Sequence, residues 1–164
     1  MTTRVLAFLL LLSSAAVSQE PAEQDHALIL EIGGASESPI HDGTSNFGGT
    51  LAAEITPIER WLELESGITV LSTAKHSELS ADLLFKKPFR LSSSAEFMAG
   101  LGPSVSRTMG GPERGTALSL EAVLDFMFWP SKRVGWYIEP GWSVSFRKRE
   151  QFLGATAGLL LGFD

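Results

Sequence analysis

The chain has 164 residues, 44% hydrophobic and 20% charged, with sixteen glycines and no cysteine. That length suits one compact domain and leaves no room for a large multidomain enzyme. The absence of cysteine excludes a disulfide-stapled miniprotein and any thiolate-built zinc or iron–sulfur site, and a formal charge of −6 argues against the basic face of a nucleic-acid binder.

The first element is apolar. Arg4 gives a short positive start, residues 5–12 (VLAFLLLL) form an eight-residue greasy run, and residues 13–18 are mostly small, with Ala16 and Ser18 at the −3 and −1 positions of a cut before Gln19. This layout predicts a secretory signal peptide over residues 1–18, since the run is too short to cross a bilayer as a helix. Its removal takes away one basic and no acidic residue, moving the formal charge from −6 to −7. Residues 19–25 (QEPAEQD) read as a flexible acidic N-terminus. No later stretch approaches eighteen uninterrupted apolar residues. The mature protein is therefore either soluble outside the cytoplasm or enters a membrane as strands.

From Ala27 onward the sequence alternates with period two, the signature of strands with one apolar face. Leu28, Leu30 and Ile32 oppose Glu31; Phe47, Leu51, Ala53 and Ile55 oppose Thr50, Ala52 and Glu54. Leu62, Leu64, Ile68 and Val70 oppose Glu63, Glu65 and Thr69; Leu79, Ala81, Leu83 and Phe85 oppose Ser80, Asp82 and Lys86. Leu91, Ala95, Phe97, Ala99 and Leu101 oppose Ser94, Glu96 and Met98, and the face from Leu118 to Phe128 opposes Ser119, Glu121, Val123, Asp125 and Met127. Trp136, Ile138, Trp142 and Val144 oppose Tyr137, Glu139 and Ser143; lastly Leu153, Ala155, Ala157, Leu159, Leu161 and Phe163 oppose Gly154, Thr156, Gly158, Leu160 and Gly162. Eight strands result, each long enough to cross a bilayer at a tilt. Residues 118–128 also place Leu120, Val123, Leu124 and Met127 at helical spacing. Strand is the preferred reading there, because Glu121 and Asp125 fall on one alternating face.

Between the strands, longer polar loops are expected over residues 37–46 and 105–115, and shorter ones over 73–77 and 147–151. Tight turns, each with a proline, are expected over 57–60, 87–89 and 130–135. Short turns at one end and longer loops at the other fit an up-and-down barrel with both termini on the short-turn side. Such a barrel could be soluble and lipocalin-like, binding an apolar ligand inside. The polar face, however, is mostly Gly, Ser and Thr, which suits a narrow interior better than a solvated surface. Phe47, Trp61, Phe89, Trp129, Trp136 and Phe163 lie near strand ends, where an aromatic girdle meets the membrane interface.

With these features the chain resembles the small bacterial outer-membrane β-barrels of the OmpA/OmpX type, over roughly residues 27–164. The resemblance rests on the signal peptide, the eight alternating strands and the final strand LGATAGLLLGF. It implies an all-β fold, an eight-stranded antiparallel up-and-down transmembrane barrel, located in the bacterial outer membrane. It also implies a last strand whose terminal aromatic residue is read by the barrel-assembly machinery. Phe163 is in phase for that role, although Asp164 follows it.

The lumen of such a barrel would hold Glu31, Glu54, Glu63, Glu65, Asp82, Glu96, Glu121, Asp125 and Glu139, with Lys86 and Arg90 as counter-charges and Arg60 and Arg147 near the ends. Buried charges must pair, stay hydrated or take up protons. A packed salt-bridge lattice without an open pore is the expected arrangement, with a narrow cation path as the rival. An enzyme of the lipid A-modifying class is a weaker rival. His76-Ser77-Glu78 and His41-Asp42 with Ser45 bring together acyl-hydrolase residue types, but adjacent strand residues point apart and no nucleophile-elbow motif is present. Arg147, Lys148 and Arg149 offer a contact to lipopolysaccharide phosphates. No phosphate loop or His/Cys metal spacing is present, so no cofactor is expected. The expected protein is monomeric and non-enzymatic, with a structural or surface-interaction role and membrane lipid as its surroundings.

Overall fold

The computed structural model describes residues 26–41, 43–73, 76–110, 115–147 and 149–164. The signal-peptide and acidic N-terminal readings, over residues 1–25, lie outside the described residues, as does Lys148. Eight strands follow one another: β1 (Leu28–Pro39), β2 (Asn46–Ile58), β3 (Leu62–Ser72), β4 (Ser77–Arg90), β5 (Ala95–Met109), β6 (Gly115–Phe128), β7 (Val134–Ser145) and β8 (Gln151–Phe163). Each pairs antiparallel with the next, and β8 returns to β1 from Leu28↔Phe163 to Pro39↔Phe152, closing the barrel. Residues 118–128 are strand, as the alternation of Glu121 and Asp125 required.

The phase of the alternation decides what each face meets. Ile32, Leu51, Ile68, Phe85, Leu101, Leu118, Ile138 and Leu159 all point outward and stand exposed, whereas Glu31, Glu54, Glu65, Lys86, Asp125 and Glu139 are buried inside. This is the reverse of a soluble lipocalin-like barrel, which turns its apolar face inward. The shortest strand has 11 residues. At about 3.4 Å per residue and a tilt near 45°, it rises about 26 Å, matching the roughly 25 Å apolar band of membrane barrels.

Strand boundaries differ from the sequence reading most in three places, beside shifts of one or two residues at the turns over 57–60 and 130–135. The loops expected over 37–46 and 105–115 shrink to residues 40–45 and 110–114, because Glu37↔Asn46 and Thr108↔Gly115 still pair. The backbone ladder continues past the apolar band there, and Ser and Thr side chains do not mark its end. The turn expected over 87–89 is strand: Pro88 pairs with Met98 of β5. Its missing N–H costs nothing on the other side, because β3 stops pairing at Glu63↔Lys86. Connections at the two ends are therefore nearly equal, three to five residues at the terminus end and four to six at the far end.

Two further prolines mark breaks in the ladder. Pro103 and Pro140 lie where pairing is interrupted, between Asp82↔Ser104 and Phe85↔Leu101, and between Val123↔Gly141 and Phe126↔Ile138. Beside Pro103, Gly102 comes so close to the Leu83 carbonyl that a Cβ would sit 1.9 Å from its oxygen. No larger residue fits this approach.

Candidate functional site in the barrel lumen

The lumen is layered along the barrel axis. Nearest the termini, Ile29, Met98, Met127, Trp129 and Leu160 form a buried apolar cluster with Tyr137. Ile29, Met98, Met127 and Leu160 come from the terminus-side halves of β1, β5, β6 and β8, Trp129 follows β6 directly and Tyr137 is on β7; Met98, Met127 and Leu160 are fully buried. Tyr137 lies in a row with Gly158 and Gly33, its cross-strand neighbours. A Cβ on Gly33 would fall 2.7 Å from its hydroxyl oxygen, so the small row makes room for the ring across the inner wall.

Above this plug sits Lys86, buried to 1% exposure. Its ammonium donates a hydrogen bond to Asp125 Oδ2 at 2.9 Å and pairs with Glu139 at 2.7 Å, with Glu65, and with Glu54 at 3.6 Å. The carboxylates converge from β2, β3, β6 and β7 onto one β4 side chain. Carboxylate oxygens of Glu31, Glu54, Glu65 and Asp125 lie within 4.8 Å of one another. Five carboxyl groups thus surround one cation. Removing a buried ion's partner costs several kcal/mol, which makes Lys86 the keystone of the layer.

Toward the far end the lumen opens. A pocket of about 110 Å³ is lined by Ser36, Glu37, Ser80, Asp82, Glu121, Glu139, Trp142, Ser143 and Thr156, among others. Ser143 donates to Glu37 Oε1 at 3.3 Å. A second, deeper cavity of about 70 Å³ shares Asp82, Glu121, Glu139 and Thr156 with it and reaches Glu31, Glu65 and Tyr137. At the opposite mouth a cavity of about 410 Å³ is lined by His26, Thr56, Arg60, Glu63, Arg90, Glu96 and Trp129. Glu63 is buried there, Glu96 half-buried, and Arg90, paired in register with Glu96, is exposed.

The expected lumen set therefore divides. Glu31, Glu54, Glu65, Lys86, Asp125 and Glu139 form one cluster; Asp82 and Glu121 line the outer pocket; Glu63, Arg90 and Glu96 stand at the terminus-side mouth. Among the girdle residues, Phe47, Trp61, Phe89, Trp136 and Phe163 are exposed on the outside. Trp129 is not. It is 5% exposed and turns inward, its ring 4.7 Å from that of His26. It continues the inward phase of Asp125 and Met127, so it caps the plug instead of joining the girdle.

His26 was not legible as part of the site. It precedes β1, is 6% exposed, and places Nδ1 3.4 Å from Asp164 Oδ1. Arg133 lies 3.7 Å from the same carboxylate, so the residue following Phe163 has partners of its own. The only sequence hint is Gly162, where a Cβ would run into the His26 ring at 2.6 Å. The hydrolase candidates do not assemble: His76 Nδ1 meets the Thr73 hydroxyl at 3.2 Å, while the Ser77 hydroxyl meets Ser72 at 3.0 Å. Asp42 lies outside the described residues.

A closed eight-stranded antiparallel barrel with an apolar exterior and a charged, packed lumen is the architecture of the small outer-membrane barrels, and the chain has that fold. Its backbone is similar to Neisserial surface protein A (NspA), with a TM-score of 0.67 and 14% identity over 83% of this chain and 96% of that one. It is also similar to Ail, the attachment invasion locus protein of Yersinia pestis (TM-score 0.58, 12% identity, 85% and 99% covered). A third is the N-terminal β-barrel domain of Pseudomonas aeruginosa OprF (TM-score 0.57, 10% identity, 81% and 97% covered). No protein-family model matches the sequence, and no curated protein matches it.

Proposed function

We propose that this chain is an exported, integral protein of the bacterial outer membrane: a monomeric, non-enzymatic barrel with a packed lumen and no open pore, serving a structural or surface-interaction role. The observation that carries this reading is the outward belt. Ile32, Leu51, Ile68, Leu101, Leu118 and Leu159 are each more than half exposed. Large apolar side chains ringing the whole barrel would aggregate in water and are stable only against lipid. Export would use the signal peptide over residues 1–18, and insertion would use β8 with its terminal Phe163 as the strand read by the barrel-assembly machinery.

Absence of a pore is supported by the plug of Met98, Met127 and Leu160, three side chains with no exposed surface. Surface interaction is supported by Arg147 and Arg149, both exposed at the far end. Arg147 Nη1 donates to the Thr116 carbonyl at 3.2 Å, which steadies a basic turn that, with Lys148, suits the phosphates of lipopolysaccharide. Ail has also been solved with the heparin analogue sucrose octasulfate, a polyanion. Fractionation of cells followed by electrophoresis with and without boiling tests the reading. An outer-membrane band whose migration shifts on heating is expected; a soluble, unshifted protein would refute it.

A further inference from the structure

We infer that the outer wall carries a binding site for a phosphatidylglycerol-type lipid, its headgroup phosphate on Lys87 and an acyl chain on the aromatic face of β4, β5 and β6. This rests on the membrane-barrel reading above and adds to it a choice among lipids. Lys87 belongs to the outward phase of β4, in step with Leu83, Phe85 and Phe89, all of them exposed. A lysine on a lipid-facing wall buries its stem and carries its ammonium to the interface. Lys87 is half-buried, and its Nζ donates to the Arg60 carbonyl at 2.6 Å, in the turn between β2 and β3. That bond fixes the ammonium at the level of the strand ends on the terminus side.

The surroundings of this ammonium select for an anion. The Trp61 and Phe89 rings each lie 6.0 Å from Nζ; aromatic faces stabilise a cation without neutralising it. Among the described residues no carboxylate pairs with Lys87. Of its three N–H donors the Arg60 carbonyl takes one, leaving two for phosphate oxygens, which accept charge-assisted hydrogen bonds. Other basic residues at this end are placed differently. Arg133 has Asp164 3.7 Å away, Arg90 lines the terminus-side mouth in register with Glu96, and Lys132 stands exposed in the turn after β6.

A second observation is independent of the lysine. Phe97 pairs in register with both Phe89 and Phe126, and its ring centroid lies 5.7 Å from the first and 5.0 Å from the second. Three rings on adjacent strands support one another and form a stiff apolar wall beside Lys87. Across the barrel, the same end of β8 and β1 offers Leu28, Leu30, Leu161 and Phe163 outward, with no basic side chain among them. Lipid at Lys87 therefore meets a charge and a shape that lipid elsewhere does not. Phosphatidylethanolamine carries an ammonium beside its phosphate, which would face Lys87 with like charge; a glycerol headgroup brings the phosphate alone.

The test uses the mature chain refolded into detergent micelles, with the heat-shifted band confirming the barrel. Phosphatidylglycerol and phosphatidylethanolamine of identical chains are titrated in, and the lipid retained on each barrel is counted by native mass spectrometry. Phosphatidylglycerol should bind more tightly by about fivefold, the worth of one lysine at a lipid surface. Lys87→Gln should abolish that preference, Lys87→Arg should keep it, and Lys132→Gln should leave it unchanged. Should Lys87→Gln fail to refold, Lys87→Met, which keeps an apolar stem between the two rings, decides in its place. Equal retention of the two lipids by the wild-type barrel, a preference that survives loss of the Lys87 charge, or an equal loss in Lys132→Gln overturns the site. A wild-type chain without the heat shift would instead overturn the barrel reading.

Discussion

The two halves of the lumen are built on opposite principles. Toward the termini, Ile29, Met98, Met127 and Leu160 fill the barrel with apolar volume and exclude water. Toward the loops, Glu37, Asp82, Glu121 and Ser143 leave a polar pocket that water can enter. Lys86 stands at the boundary, holding acids of the wet half against the dry one. One end of the barrel is sealed by packing and the other is governed by charge, so a single closed sheet presents different chemistry to its two sides.

Substitutions can break that division in graded fashion. Lys86→Met should be the most damaging, because it strands five carboxyls without a cation; a loss of about 3–5 kcal/mol, or failure to refold, is expected in urea titrations monitored by the heat-shifted band. Met127→Ala attacks the dry half and should cost about 2–4 kcal/mol through the cavity it leaves. The wild-type barrel should be silent in planar bilayers, and the Met98→Ala, Met127→Ala double variant should conduct intermittently if the plug is the seal. Ser143→Ala in the wet half removes a single hydrogen bond to Glu37 beside solvent, and about 1 kcal/mol or less should be lost. Smallest is a gain. Arg149 sits at φ 55° in the turn after β7, a left-handed conformation that glycine adopts more readily, so Arg149→Gly should add about 0.5–1 kcal/mol.

Period-two alternation carried most of the fold, since phase alone sorts each side chain outward or inward, and all eight strands keep the phase read from residues such as Leu28, Leu79 and Leu153. Phase says nothing of depth. Glu63 and Glu65 share a face, yet one reaches the terminus-side mouth and the other Lys86, because they sit at successive levels along β3 and the stagger between neighbouring strands decides which residues meet at each level. For the same reason the convergence of β2, β3, β6 and β7 on one lysine could not be read along the chain. Trp129 shows the converse: its phase with Met127 pointed inward, and its position near a strand end outweighed that evidence. His26 was illegible because it lies before β1 and folds back over Gly162, a contact between residues at opposite ends of the barrel sequence.

The pairing of β1 with β8 has a consequence for how the protein must be made. Leu28 and Phe163 are partners across almost the whole length of the barrel, so the loop that closes this ladder is the longest the chain can form. Until β8 arrives, β1 and β7 each present an unpaired edge rich in apolar residues, the type of surface that recruits other chains. The nascent polypeptide is therefore most prone to aggregate just before completion, and a helper that shields those two edges would gain most by holding β1 until the final strand is delivered.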